Sequence, residues 1–136
     1  EREKLETLSK DLGLSNEVLF TGFIDENDKY KLISTFDIYV FPSRWELEGF
    51  GIAALEAMNA GVCVLASNFG PIPEVVKNAG LLVTPNGEEI SKTIIKLFNN
   101  QKLMRRLERI GRERINIFDI RHCAERYINE FQKLTS

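Results

Sequence analysis

Two carboxylates flank a glycine pair in the stretch ELEGFGIAALEAMNAG, residues 46–61. Glu48 precedes Gly49-Phe50-Gly51, and Glu56 lies inside the run that follows. From Gly51 on, that run reads as a helix that is apolar almost all the way round. At about 100° per residue, Ile52, Glu56 and Asn59 share one stripe. Ala53, Ala54, Leu55, Ala57, Met58 and Ala60 fill the remaining faces with small or apolar side chains. A carboxylate in such surroundings is costly unless donors meet it. A sugar diol offers two adjacent hydroxyl donors that one carboxylate accepts together; Arg44 or Lys77 could serve instead as ion-pair partners. The glycines also allow two readings. They form a plain tight turn, or they let a ligand reach the N–H groups and partial positive charge of a helix start, which suit phosphate. Phe50 between them can wall off solvent. Like charges repel, so Glu48 belongs beside such a phosphate, where it can hydrogen-bond the group that the phosphate carries. A diol reader, a phosphate cradle and a second acid together describe a site for a nucleotide-linked sugar.

The elements that must position these residues follow from periodicity. Leu5, Leu8 and Leu12 recur at helical spacing before Gly13, which predicts a helix over 2–12. VLFTG (18–22) is a short β-rich run, followed by the acidic turn Asp25-Glu26-Asn27. Tyr30, Ile33 and Phe36 then mark another helix. DIYVFPS (37–43) predicts a second strand, closed by Pro42, and the glycine-flanked helix spans 51–60 with Gly61 as its C-cap. VCVLAS (62–67) predicts a third strand, continuously apolar as strands covered on both faces are. A short helix at 72–78, a fourth strand at 81–84, a helix over 88–100 and terminal helices near 101–117 and 119–134 complete the chain.

Alternating strands and helices predict an α/β fold over residues 1–136: a doubly wound, mainly parallel Rossmann-like sheet with helices on both faces. The glycine mouth then falls at the carboxyl end of a parallel strand, where such sheets bind ligands. A Rossmann-like unit opens on a strand and a glycine-rich turn, whereas this chain opens on a helix. Either the first strand is missing or the order is unusual.

The bulk properties remove other classes. With 136 residues, 43% of them hydrophobic and 28% charged, the chain can bury a real core. A net charge of -2 gives no pull toward nucleic acid. Cys63 and Cys123 are far apart, with no CxxC and no histidine cluster, so no metal site is expected. That cysteine usage suits a reducing cytosol, and no apolar run approaches the ~18 to 20 residues of a membrane span. The opening EREKLETLSKDL has no initiator Met and no signal peptide, and reads as part of something longer.

The run FPSRWELEGFGIAALEAMNAGVCVLASNFGPIPEVV resembles the donor-binding, C-terminal half of retaining glycosyltransferases of the GT-B architecture, family 4 or group 1. That family carries Glu, seven residues, Glu, which here is Glu48 and Glu56. The likeness continues through VLFTGFIDENDKY and GLLVTPN, so several ordered motifs carry it over residues 16–90. The resemblance implies transfer of a hexose, with retention, from a UDP- or GDP-sugar to a glycan or lipid-linked acceptor, as in cell-wall or capsule polysaccharide synthesis. It implies no cofactor and no metal. By position, Glu48 is the catalytic-site acid at the donor sugar. Gly49 and the Phe50-Gly51-Ile52 backbone take the diphosphate, Glu56 the ribose, and the backbone near Ile24 the base. It also implies a second domain that holds the acceptor and the catalytic histidine.

This chain departs from the pattern in three ways. The first strand and the Arg/Lys pair near the start of the domain are missing, and Gly70-Pro71 stands where the family often has Gly-Gly. His122, the lone histidine, falls in a terminal helix and reads as a surface residue. KLMRRLERIGRER (102–114) is basic and amphipathic, with Leu103, Leu107 and Ile110 on one stripe. It reads as a solvated helix face, with peripheral contact to anionic lipid as the alternative. Met58 reads as core, and Trp45 as loop packing beside the sugar cleft. Two other classes compete: a nucleotide-sugar epimerase on the same two-domain plan, and a non-catalytic flavodoxin-like module marked only faintly by Asp25, Glu26 and Asp28.

Overall fold

A computed structural model of the chain describes residues 1–44 and 49–134. Three strands, β1 (Ile38–Phe41), β2 (Cys63–Ser67) and β3 (Gly80–Val83), form a parallel sheet in the order β1-β2-β3. Ile38 lies opposite Cys63, and Val64 opposite Gly80. Around the sheet stand α1 (Arg2–Asp11), α2 (Glu26–Ile33), α3 (Ile52–Asn59), α4 (Ile72–Val76), α5 (Gly87–Phe98), α6 (Gln101–Ile115) and α7 (Ile120–Leu134). Single 3₁₀ turns at Lys77–Ala79 and Asn116–Phe118 follow α4 and α6.

The period of two along each strand sorts side chains into two layers. Tyr39, Phe41, Val64, Ala66 and Leu82 face the layer that holds Ala54, Ala57 and Met58 of α3 with Ile72 and Val76 of α4. Ile38, Cys63 and Leu81 face Leu97 of α5 and Met104 and Leu107 of α6. Every residue of β2 is buried, as its unbroken apolar run predicts for a strand covered on both sides. Burial pushes the Cys63 thiol up to about 11, with the Glu108 charge adding to the rise. Cys63 is therefore a protonated core residue at neutral pH.

The fit between layers is tight where glycine is required. A Cβ on Gly80 would lie 2.6 Å from the Val64 carbonyl oxygen and 2.9 Å from a Val76 methyl. The φ of Gly80 is ordinary extended backbone, so space alone excludes a side chain there. In α6, Met104 and Leu107 are buried in the core, so the apolar stripe of this basic helix packs inward. Lys102, Arg105, Arg106, Arg109, Arg112 and Glu113 on its other faces are exposed.

One expected strand does not form. Residues 18–22 are irregular and form no ladder, Gly22 has φ 69°, and Leu19 is 84% exposed. A strand is a property of a pair, and no described segment lies alongside 18–22 to accept its hydrogen bonds. The β-rich composition is real, but without a neighbour it cannot become a sheet. β1 is accordingly an edge among the described residues. The expected helix over 101–117 ends its α-helical part at Ile115 and tightens into a 3₁₀ turn. No helix among the described residues is long and apolar enough to cross a membrane.

Candidate functional site

In sequence, the connection from β1 to α3 carries Glu48 and the glycines, and α3 itself carries Glu56. Residues 45–48 lie outside the described part of the chain, and with them Glu48 and Trp45. Gly51 is the N-cap of α3, with φ 79° and ψ 41°, a left-handed conformation that ordinary side chains enter at a cost. A Cβ placed there would sit 3.6 Å from Phe41 and 3.7 Å from Ile72, which is ordinary contact. Conformation, not space, demands glycine at this position, the reverse of Gly80. Gly51→Ala should cost about 1–2 kcal/mol of stability, and Gly51→Asn less, because asparagine tolerates this region. Urea titrations of the two variants check this ranking.

The first turn of α3 follows directly. The N–H of Ala54 donates to the Gly51 carbonyl oxygen at 3.0 Å, and the leading N–H groups of such a helix share the positive end of its dipole. Gly49 and Phe50 are exposed at this mouth, Gly51 is buried and Ile52 is 64% exposed. Phe50 meets Phe118 edge-on, with ring centroids 5.7 Å apart. Arg114 stands over the Phe118 ring at 5.3 Å and donates to the carbonyl oxygens of Val75 and, at 2.6 Å, Glu74. A brace from the end of α6 thus joins the glycine mouth to the last residues of α4. Sequence reasoning had no short-range signal for it, because these partners are about forty residues apart or more.

Glu56 lies one turn into α3, and its surroundings differ from the expectation. The helix is not buried all round: Ile52 is open, and the Glu56 side chain is 34% exposed. Its partner is neither Arg44 nor Lys77. Lys29 of α2 donates to Glu56 Oε1 at 2.7 Å and also meets Glu26 at 2.8 Å. Hydrogen bonds to Glu26 and then Glu56 raise the Lys29 amino group above its ordinary value. Tyr39 is near enough to feel the same carboxylate. Burial first, and then the Glu56 charge, push its phenol upward, while Lys29 opposes them.

Ile24 completes the set from the other side. It is half-buried and immediately precedes Asp25, whose carboxylate caps α2 by accepting from the amides of Asn27 at 2.9 Å and Asp28 at 3.1 Å. The start of α2 is thereby held, and Lys29 one turn later links it to Glu56. Gly49, Phe50, Gly51, Ile52 and Glu56 follow one another at the start of α3, and Ile24 precedes α2, which the Lys29–Glu56 pair links to α3. Gly70 has φ 55° and Pro71 starts α4, which fits the simple tight turn. His122 is exposed on α7, with Nδ1 3.1 Å from the Asn116 carbonyl oxygen. An open groove of about 570 Å³ runs along α7 past Cys123, Tyr127 and Lys133. One helix supplies its lining, so it is a helix flank, remote in sequence from the acid and glycine motif. No group of three metal-ligating side chains gathers among the described residues.

Comparison with known proteins decides the family. Residues 1–114 match the model for glycosyl transferases group 1. The chain belongs to that family. Among curated relatives of this group 1 chain, the serotype-specific mannosyltransferase WbdA of Escherichia coli is 30% identical over 134 residues, which is 97% of this chain and 16% of WbdA. Sucrose-phosphate synthase from Thermosynechococcus elongatus superposes with a TM-score of 0.85 at 30% identity, covering 98% of this chain and 34% of the synthase. HepE from Anabaena, solved in complex with UDP-glucose, superposes at 0.77 with 25% identity, covering 94% of this chain and 36% of HepE. This group 1 domain thus spans between a sixth and about a third of each of these proteins. Its fold is the Rossmann-like α/β layer of the GT-B glycosyltransferases, with a parallel sheet between helices.

Proposed function

We propose that this chain binds a nucleoside diphosphate sugar and presents it for transfer of a hexose, with retention, to a glycan or lipid-linked acceptor. The observation that carries the reading is the placement of Glu56 one turn above a left-handed glycine cap, at the carboxyl end of β1. Glu56 takes the ribose diol, the Phe50-Gly51-Ile52 backbone the diphosphate, and the backbone at Ile24 the base. Glu48 hydrogen-bonds hydroxyls of the donor sugar. The chemistry requires no metal, because helix-end amides meet the charge of the leaving diphosphate. The acceptor lies against a second domain, in line with the length of the relatives. The O-antigen chain mannosyltransferases B and C of Escherichia coli, further relatives at 31% and 30% identity, support a polysaccharide context, and the HepE complex supports a UDP-sugar or similar donor.

The full-length protein is to be incubated with UDP- and GDP-hexoses and a panel of glycan and lipid acceptors, and the product's anomeric configuration read by NMR. Transfer with retention is expected. A donor epimerised without transfer would place the protein in the epimerase class instead. Glu48→Ala should lower turnover about ten- to a hundredfold, the loss of an interaction strengthened in the transition state, while nucleoside diphosphate affinity changes little. Equal losses in both would make Glu48 a nucleotide ligand or a structural residue.

A further inference from the structure

We infer that Lys29 is a positioning residue of the nucleotide site, holding the Glu56 carboxylate in place and offsetting its repulsion of the diphosphate. The inference rests on the reading of Glu56 as the ribose ligand. Glu56 follows Ile52 by four residues, about 6 Å of helix rise. Side chains on a helix lean toward its N-terminus, so the carboxylate is carried toward the glycine mouth where phosphate is placed. A carboxylate and a diphosphate at that separation lie within a Debye length and repel, and the partial positive charge of a helix start, about half an elementary charge, meets only part of the diphosphate's charge.

Among the described residues, Lys29 is the cation that pairs with Glu56. Its ammonium lies 2.7 Å from Oε1 of Glu56. One ammonium contact leaves Oε2, and the second lone pair of Oε1, able to accept from a diol. Glu26 at 2.8 Å fixes the ammonium from its other side, so Lys29 is held between two carboxylates rather than pointing freely into solvent. Both ends of the Lys29–Glu56 pair are about one-third exposed, and such a pair adds little to folding stability. A second contact, from the Tyr30 hydroxyl to the Asn59 carbonyl oxygen, already ties α2 to α3. The pair is better explained by what Glu56 must do than by what the two helices need.

The test is calorimetric titration of the full-length protein with UDP, GDP, UMP and GMP, comparing wild type with Lys29→Met and Lys29→Arg. Lys29→Met should weaken the better-bound diphosphate roughly three- to tenfold, and its monophosphate by less, because the repulsion that Lys29 offsets grows with phosphate charge. Lys29→Arg should stay within about twofold of wild type. The melting temperature should hardly move. An unchanged diphosphate affinity for Lys29→Met, or equal losses for mono- and diphosphate, overturns the inference while leaving Glu56 as a ribose ligand. A wild-type protein that binds no nucleotide overturns that reading and this inference with it.

Discussion

Met58→Ala is expected to lower the free energy of unfolding by about 2–5 kcal/mol, the usual range for emptying a buried large side chain. Met58 is fully buried on the inner face of α3, in the layer between that helix and the sheet. It also touches α6. A Cβ built on Gly111 would lie 3.3 Å from Met58 Cγ, so the two helices meet closely at this residue. Removing the thioether therefore opens a void bounded by two helices and a sheet, none of which can collapse far. Met58→Leu, which keeps the volume, should cost less than about 1.5 kcal/mol. Urea unfolding of both variants is the measurement. Similar small losses for the two would mean that α3 repacks freely, contrary to its role as a rigid platform for Glu56. Since a typical domain is stable by only about 5–15 kcal/mol, the alanine variant should also show lower abundance in cells.

Local patterns and long-range pairing differ in how legible they are in the sequence. Continuous apolar runs such as VCVLAS declare burial on both faces, and β2 is buried at every residue. Local chemistry declares helix starts: Asp25 and Asn86 both cap by accepting amides within three residues of themselves. Gly51 and Gly61 mark the two ends of α3 with positive φ, as their places in the pattern suggest. What escapes a reading of the chain is pairing. VLFTG has the composition of a strand, but no described partner lies beside it, and composition cannot report a neighbour.

Lys29 escaped for the same reason. It lies 27 residues from Glu56, outside the span in which helix periodicity or turn chemistry says anything. Arg44 and Lys77 are nearer to Glu56 in sequence. The actual partner is chosen by the packing of α2 against α3. The Arg114 and Phe118 brace is a longer-range case still, joining the end of α6 to the glycine mouth. The acids and glycines proposed to form the site stand out by residue type in one short stretch. Its supports, contributed by α2 and α6, became visible only in three dimensions.

Glu56→Gln should weaken nucleoside diphosphate binding by about 1–3 kcal/mol, the range for losing a charge-assisted hydrogen bond. The substitution keeps size and shape, so packing in α3 is preserved and the loss is chemical. A carboxylate accepts from two ribose hydroxyls at once, whereas the amide offers one acceptor and turns a donor toward the other hydroxyl. The diol is then half-satisfied. Folding should barely change, since the Glu56 side chain is one-third exposed and its ion pair with Lys29 is of the weak surface kind. The separation between a large binding effect and a small stability effect is what marks a ligand residue. Titration of the full-length protein with UDP and GDP and a urea melt on the same sample measure both quantities. A 2′-deoxyribonucleoside diphosphate should bind wild type and variant more nearly alike, because it offers the carboxylate only one hydroxyl. An unchanged dissociation constant for Glu56→Gln, or an equal effect on ribo and deoxyribo ligands, would remove Glu56 from the ribose site and leave it as a surface partner of Lys29.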